Sequence, residues 1–181
     1  MNSRYYVALL RGVNVGRAKR IAMADLRMLV EGLGYTGVRS VLNSGNVVFQ
    51  ATGTTAQEAA RAIEDALVLK LGVAARVFVL GRKELGAIID GNPLLEVATD
   101  YSRLIVFLLG TESQRDGLAA LHGRDWGCER LALGERAAYV WCPEGMLDSA
   151  AATSLGKLLG DGSTSRNWNT LLKLHALCDE A

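Results

Sequence analysis

The stretch Tyr6–Gly16, YVALLRGVNVG, decides the fold of this chain. Its first five residues are apolar, which suits one short buried strand. The strand runs directly into Arg11 and a loop that contains Gly12 and Gly16. Glycine lets a backbone approach a partner closely, and an arginine places charge at the edge of a core. The sequence therefore predicts a central strand whose end carries a candidate polar site.

The elements of the first half follow the order β-α-β-β-α-β, which is typical of the ferredoxin-like fold. Asn43-Ser44-Gly45 suits a hairpin turn with a positive φ at the glycine. Thr55-Ala-Gln-Glu58 is a capping box that begins a helix. The apolar spacing places strands at 5–10, 38–42, 46–50 and 75–80, and helices at 23–33, 55–72 and 82–90.

The second half repeats this element order. We expect strands at 103–109, 128–133 and 136–142, and helices at 111–123, 147–159 and 167–178. A final strand should precede the last helix, but Gly160–Ser165 is poor strand sequence, and a loop is the alternative. With the boundary at Asn92-Pro93, the sequence predicts an α+β protein of two ferredoxin-like (βαββαβ) halves with antiparallel sheets, residues 1–91 and 92–181, plus a C-terminal helix.

Composition narrows the functional classes. Half of the 181 residues are hydrophobic and the formal net charge is +1, so the whole-chain balance favours neither nucleic acid nor a membrane surface. Residues 1–50 nevertheless carry seven basic and two acidic side chains, a net charge of +5. This local excess favours an anionic ligand or partner near the first loop.

The expected location is the cytoplasm. The first strand follows Met-Asn-Ser-Arg directly, so we expect no signal peptide, and no apolar run reaches the ~20 residues of a membrane span. Three widely spaced cysteines without a CxxC pair predict neither a disulfide framework nor a zinc ribbon, and we expect no metal site.

Two polar motifs should meet at one edge of the first sheet. The first loop offers Arg11, Gly12, Asn14 and Lys19, and the hairpin offers Ser44 and Asn46. Strands one and three are adjacent and antiparallel in this topology, so Arg11 and Asn46 should be neighbours. The motifs suit an anion site, but a tight connection and ordinary turn chemistry are the favoured interpretation.

The third motif is Thr164-Ser165-Arg166-Asn167-Trp168-Asn169. Arg166 beside a helix N-terminus suits an anion, with Asn167 and Trp168 alongside. The alternative is a helix cap with Trp168 as a packing anchor. His122 and His175 lie on predicted helices without a nucleophile motif, and we interpret both as core or surface residues.

Nucleic acid is not the expected partner. Ferredoxin-like RNA platforms carry aromatic residues at alternate positions of their central strands. The third strand offers Phe49 alone, and Tyr5 and Tyr6 are adjacent and therefore point to opposite faces.

These motifs resemble a bacterial family, domain of unknown function 1697. The resemblance rests on LLRGVNVG (9–16), the helix start MADL (23–26), SGNVVF (44–49), Asn92-Pro93 and SRNWNT (165–170), which occur in the order of the family and span nearly the whole chain. It implies two ferredoxin-like halves, and it supplies no activity, substrate or cofactor. Its motif positions are Arg11, Asn14, Ser44, Asn46, Arg166, Asn167 and Trp168.

The chain departs from the family in two places. The family often has Gly-Gly-Lys after the first loop, where this chain has Arg17-Ala18-Lys19. It also tends to have Ser-Lys at the start of a later helix, where Ser149 is followed by Ala150 and the nearest lysine is Lys157. A ligand held by that family lysine would need another residue here.

The leading hypothesis is a cytoplasmic protein that binds a small anionic ligand, carrying phosphate or carboxylate, where the two halves meet. One alternative is that no ligand binds and the same residues form a structural clasp between the two halves. The other is an interaction module that uses the basic first loop for a protein or nucleic acid. No motif specifies a reaction, a cofactor or an oligomeric state.

Overall fold

The computed structural model describes residues 4–17 and 19–180. Its contacts divide the chain into two compact units, each described here by itself. Unit 1 comprises Met1–Gly86 and Lys173–Ala181, and unit 2 comprises Ala87–Leu172. The last residues of the chain thus group with unit 1, and the boundary predicted after residue 91 stays a prediction.

Unit 1 contains one four-stranded antiparallel sheet with strand order β2-β3-β1-β4. The predicted β-α-β-β-α-β order is confirmed. The elements in chain order are β1 (Arg4–Leu10), α1 (Met23–Gly32), β2 (Thr36–Val41), β3 (Asn46–Ala51), α2 (Ala56–Leu71) and β4 (Val77–Gly81), after which α3 (Arg82–Asp90) begins at once.

The core of unit 1 forms around β1. Tyr6 pairs with Phe49 across the β1–β3 ladder, and their rings stack with centroids 5.6 Å apart. Leu26 of α1 and Ile63 of α2 are fully buried in the same cluster. The 3.6-residue spacing of apolar side chains on both helices therefore packs them on one face of the sheet.

The hairpin between β2 and β3 packs closely against the end of β1 and is hydrogen-bonded to it. Gly45 has a φ of 79°, as predicted, and its carbonyl accepts a 2.9 Å hydrogen bond from the N–H of Leu10. A Cβ at position 45 would lie 2.7 Å from Leu10 Cβ and 2.7 Å from Val13 Cγ2. Glycine is thus required for conformation and for space.

The end of α7 (Trp168–Asp179) belongs to unit 1. Arg39 of β2 donates to Glu180 Oε2 at 2.6 Å and to the Leu177 carbonyl at 2.7 Å. Arg82 at the start of α3 pairs with Asp179. Two arginines therefore tie this helix end to strands and helices of unit 1.

Unit 2 repeats the sheet with strand order β6-β7-β5-β8, again antiparallel. Both halves are ferredoxin-like, which confirms the predicted fold class. The elements are β5 (Leu104–Leu108), α4 (Glu112–Gly117), α5 (Ala119–His122), β6 (Arg130–Leu133), β7 (Ala137–Trp141), α6 (Ala150–Leu159) and β8 (Ser165–Asn167), which leads directly into α7.

The final strand exists, although it has only three residues. Arg166 of β8 pairs with Val106 of β5, and the Leu108 N–H donates to the Thr164 carbonyl at 3.0 Å. The predicted start of the last helix is corrected by one residue. Asn167 is its cap: its Oδ1 accepts bonds of 2.9 Å from both the N–H and the hydroxyl of Thr170.

A buried tyrosine holds part of α3 within unit 2. The hydroxyl of Tyr139 on β7 donates to the Ile88 carbonyl at 2.6 Å, and the side chain is nearly inaccessible. Burial raises the pKa of Tyr139 to about 12.

We expect Gly45→Ala to lower the free energy of unfolding by about 2–4 kcal/mol, because it adds backbone strain and two steric overlaps. Gly34→Ala is the matched control, since Gly34 has a φ of 87° but nothing within 4 Å of its Cβ position. It should lose only about 1 kcal/mol. Equal losses in urea denaturation of the two variants would contradict the steric argument.

We expect Tyr139→Phe to lose about 1–2 kcal/mol at neutral pH, because it leaves the Ile88 carbonyl without this donor. In the unfolded chain the phenol ionises near pH 10, whereas the folded chain retains its proton to about pH 12. The contribution of Tyr139 to stability is therefore complete below about pH 10 and declines as pH rises towards 12. Urea denaturation at pH 8 and pH 11 should show a steeper alkaline decline in the wild type than in the phenylalanine variant.

Candidate functional site

The first loop and the hairpin meet at one edge of the unit 1 sheet, as predicted. Leu9 pairs with Asn46, so Arg11 follows β1 at the edge where β3 begins. The N–H of Arg11 donates to the Arg76 carbonyl at 2.9 Å. Gly12, Lys19 and Ser44 lie exposed at the same edge, and Gly12 and Lys19 have φ values of 67° and 50°.

Asn14 fastens this loop to itself and to the hairpin. Its Nδ2 donates to the Ile21 carbonyl at 2.8 Å and to the Asn43 carbonyl at 2.7 Å. Its Oδ1 accepts from the Ile21 N–H at 2.8 Å. Asn14 has a φ of 54°, a conformation that asparagine tolerates better than most residues. These contacts favour a structural role for this side chain.

Asn46 has a similar role. It is fully buried at the start of β3, and its Nδ2 donates to the Val41 carbonyl at 2.9 Å. The amide therefore closes the hairpin by bonding the backbone at the end of β2. The ligand-binding role predicted for Asn14 and Asn46 stays a prediction.

The third motif belongs to unit 2. Arg166 Nη1 donates to Thr164 Oγ1 at 2.9 Å and to the Ser165 carbonyl at 2.8 Å. Burial lowers the pKa of Arg166 to about 10. Trp168 is 2% exposed, which suits the packing-anchor alternative, while Asn167 caps α7. Their predicted roles in ligand binding remain predictions.

A concave site of a different composition lies at the other edge of the unit 1 sheet. Here β1 begins, β4 ends and α2 and α3 start, because β1 is antiparallel to both β3 and β4. A cavity of about 800 Å³ opens at this edge. We call it the β1-start cleft; its lining residues are Arg4, Tyr5, Tyr6, Thr54, Thr55, Ala56, Gly81, Arg82, Lys83, Glu84, Gly86 and His175.

Charge of one sign dominates the β1-start cleft. Its lining contains three permanently cationic side chains, those of Arg4, Arg82 and Lys83. They face one carboxylate, that of Glu84, whose Oε2 accepts from the Gly81 N–H at 3.3 Å. Among the described lining residues, three cationic side chains thus stand against one carboxylate, and Asp179, outside the lining, pairs with Arg82. Low-dielectric walls around such charges strengthen their attraction for anions.

Packing and hydrogen bonds fix the walls of the cleft. The Tyr6 hydroxyl donates to the Thr54 carbonyl at 2.8 Å, which joins β1 to the segment before α2. Thr55 and Glu58 form the predicted capping box, and the hydrogen bonds from Thr55 lower the pKa of Glu58. Arg82 is held by Asp179, and His175 Nδ1 lies 3.6 Å from the other oxygen of that carboxylate.

None of the sequence-predicted site residues lines the β1-start cleft. A seven-residue strand separates the two edges, a span of about 20 Å. The sequence analysis missed Arg4, Arg82 and Lys83 because they belong to no glycine- or asparagine-rich motif. One signal was available: Arg82-Lys83 directly follows the fourth strand, which ends where the first begins. His175 gave no such signal.

Comparison with known proteins decides the family. The family model described as "Protein of unknown function (DUF1697)" matches residues 3–139. The chain belongs to this family. The resemblance inferred from the motifs is thus confirmed, and the family description carries no activity.

A solved structure shares the fold. A conserved bacterial protein from Streptococcus pneumoniae matches with a TM-score of 0.78 at 23% identity, over 98% of this chain and 99% of that one. At this identity the likeness shows the fold alone. A search of the curated proteins finds no match to this chain. Among the helices of residues 4–17 and 19–180, none is both long and apolar enough to span a bilayer.

We expect Asn14→Gly to lower the free energy of unfolding by about 2–3 kcal/mol, because it removes three hydrogen bonds while keeping a residue that tolerates positive φ. Asn43→Gly is the matched control, since it keeps the backbone carbonyl that Asn14 uses. Chemical denaturation should separate the two variants. Equal stability of Asn14→Gly and the wild type would show that the three side-chain hydrogen bonds of Asn14 contribute nothing to the free energy of unfolding.

Proposed function

We propose that this protein binds a small anionic organic ligand in the β1-start cleft of unit 1. The observation that carries the proposal is the meeting of Arg4, Arg82 and Lys83 around one cavity, where the described lining holds one carboxylate, that of Glu84, and Asp179 pairs with Arg82. Phosphate and carboxylate groups are the common anions of small metabolites, and arginine and lysine are their usual protein partners.

The size of the cleft supports an organic ligand. Its volume of about 800 Å³ falls within the ~300–1,000 Å³ typical of small-molecule sites. The lining adds Tyr5 and Tyr6, the hydroxyl-bearing Thr54 and Thr55, and two glycines. A ligand with an anionic group and a less polar body therefore matches the cleft better than a bare inorganic ion does.

The anchoring of Arg82 supports selective recognition. Its pairing with Asp179 restricts the guanidinium, so less side-chain entropy is lost when a ligand binds. Lys83 and Arg4 are exposed side chains that add charge at the mouth of the same cleft. One cation held by an ion pair and two exposed cations together suit an anionic ligand.

The anion site predicted at Arg11 and Arg166 remains a separate proposal. The clasp between the two halves stays an alternative, since the hydrogen bonds of Asn14 and Asn46 with backbone carbonyls lie within unit 1. The basic first loop supports the interaction-module alternative only through its charge. A cytoplasmic location likewise remains a prediction from the sequence.

The test is ligand binding by thermal shift and calorimetry at low ionic strength, with pyrophosphate, nucleoside monophosphates and small dicarboxylates as probes. We expect at least one probe to raise the melting temperature, and added salt to weaken its binding. The double variant Arg4→Gln/Lys83→Gln should bind at least tenfold more weakly, which corresponds to about 1.4 kcal/mol.

Two comparisons locate the site. Lys70→Gln is the matched control, because Lys70 is an exposed lysine of unit 1 outside the lining of the cleft; it should bind as the wild type does. If Arg11→Gln or Arg166→Gln abolishes binding and the cleft variant does not, the site is the one predicted from the sequence. If no probe binds, the proposed function is wrong.

A further inference from the structure

We propose that the ligand of the β1-start cleft carries its phosphate or carboxylate on a ring-sized body with hydroxyl groups, as a pentose phosphate does, and that Gly81 makes room for this ring. This inference rests on the proposed function and adds the chemical class of the ligand to it. It divides the cleft into a cationic part, which binds the anionic group, and an uncharged part at the end of β4, which binds the ring.

Gly81 is the last residue of β4, and neither its backbone nor its surroundings require a glycine. Its φ lies outside the left-handed region, and a Cβ at this position would meet no heavy atom of the described residues within 4 Å. The β1–β4 ladder keeps a continuous register from Leu10 opposite Val77 to Tyr6 opposite Gly81, so no bulge explains the glycine either. A strand glycine without these causes is typical of a place where a ligand approaches the backbone closely.

The described lining contains a second glycine, Gly86, which differs in this respect. A Cβ at Gly86 would lie 3.4 Å from Nε2 of His175, which is van der Waals contact. The imidazole therefore occupies the space beside Gly86, and packing within unit 1 accounts for this glycine. The space beside Gly81 is open to the cleft that Gly81 lines.

The register of the sheet places this open position close to one of the cations. Opposite residues of an antiparallel ladder point to the same face of the sheet, and so do residues two apart in a strand. Gly81 lies opposite Tyr6, and Arg4 precedes Tyr6 by two residues, so the three positions share the face that packs against α2. Two residues of a strand span about 7 Å, a distance that one pentose ring and its phosphate ester can bridge.

The hydroxyl groups of the uncharged part accept hydrogen bonds, because they donate their own protons within the protein. Tyr6 donates to the Thr54 carbonyl at 2.8 Å. The Thr55 hydroxyl donates to Glu58 Oε2 at 2.9 Å and accepts from the Glu58 N–H at 3.2 Å. Each of these hydroxyl oxygens retains a lone pair for a further donor. A ring that bears hydroxyl groups supplies such donors, whereas a hydrocarbon ring does not.

The test compares ribose 5-phosphate, phenyl phosphate and inorganic phosphate by calorimetry at low ionic strength. All of these probes carry phosphate; phenyl phosphate adds a ring without hydroxyl groups, and ribose 5-phosphate adds a ring with them. For the wild type we expect ribose 5-phosphate to bind about fivefold more tightly than phenyl phosphate, which is the effect of one net hydrogen bond. Inorganic phosphate should bind most weakly.

Gly81→Val places a side chain in the open position and keeps the backbone N–H that donates to Glu84. We expect ribose 5-phosphate to lose about tenfold in affinity, because the valine occupies the space of the ring, and inorganic phosphate to stay within about twofold of the wild type. Gly81→Ala should give an intermediate loss, and it provides a second measurement if the larger valine disturbs folding.

Gly117→Ala is the matched control. A Cβ at Gly117 of α4 would likewise meet no heavy atom of the described residues within 4 Å, and Gly117 lies outside the described lining of the cleft. This variant should bind all of the phosphate probes as the wild type does.

The outcomes separate this inference from the proposed function. If neither these phosphates nor the other organic probes bind, both are wrong. If Arg4→Gln/Lys83→Gln weakens the binding of ribose 5-phosphate but Gly81→Val and Gly81→Ala do not, the proposed function stands and the ring does not lie beside Gly81. If phenyl phosphate binds as tightly as ribose 5-phosphate, or if another organic probe binds and ribose 5-phosphate does not, the proposed function stands and the ligand class is wrong.

Discussion

Burial of β1 on both of its faces is the constraint on which unit 1 depends. Tyr6, Ala8 and Leu10 belong to the cluster packed by α1 and α2, while Val7 and Leu9, on the opposite face, are also completely buried. A strand without a solvated face has no place for polar chemistry along its length. Charged residues can follow it only at its two ends, where Arg4 and Arg11 stand. Both candidate sites of unit 1 are therefore consequences of the same buried strand.

The two units have the same topology but carry different residues where the last strand ends and the neighbouring helices begin. In unit 1, β4 leads into α3 through Arg82 and Lys83, and the start of α2 lines an open cleft. In unit 2, β8 leads into α7 through Trp168, which is buried. Also in unit 2, the side chain of Glu129 caps the N-terminus of α6.

The carboxylate of Glu129 accepts hydrogen bonds from the Ser149 hydroxyl at 2.5 Å and from the N–H groups of Ala150 and Ala151 at 3.0 and 3.1 Å. The start of α6 is thus capped by side chains of unit 2, just as the start of α2 is capped by Thr55 and Glu58 of unit 1. The two units differ instead in the residues that follow their last strand, which are the cations Arg82 and Lys83 in unit 1 and the buried Trp168 in unit 2.

The order of elements and the antiparallel pairing were predictable from the sequence, because buried strands and amphipathic helices have different periods. The turn at Gly45 and the capping box at Thr55 were predictable from local chemistry, since each satisfies backbone groups within a few residues. The double role of Asn167 was harder to predict. Its side chain caps α7 while its backbone ends β8, and a three-residue strand has no periodicity that a sequence pattern can show.

The cleft was not predictable in the same way, because no local pattern contains it. Its cations come from positions 4, 82 and 83, and its histidine comes from position 175. The antiparallel register of β1 with β4 brings the first three together, and the pairing of Arg82 with Asp179 fixes α7 beside them. The local charge in a folded chain depends on which strand ends lie side by side in the sheet. A net charge of +1 over the whole sequence does not reveal this local charge. The register of the sheet therefore brings together a cluster of cations that the polar motifs of the sequence do not reveal.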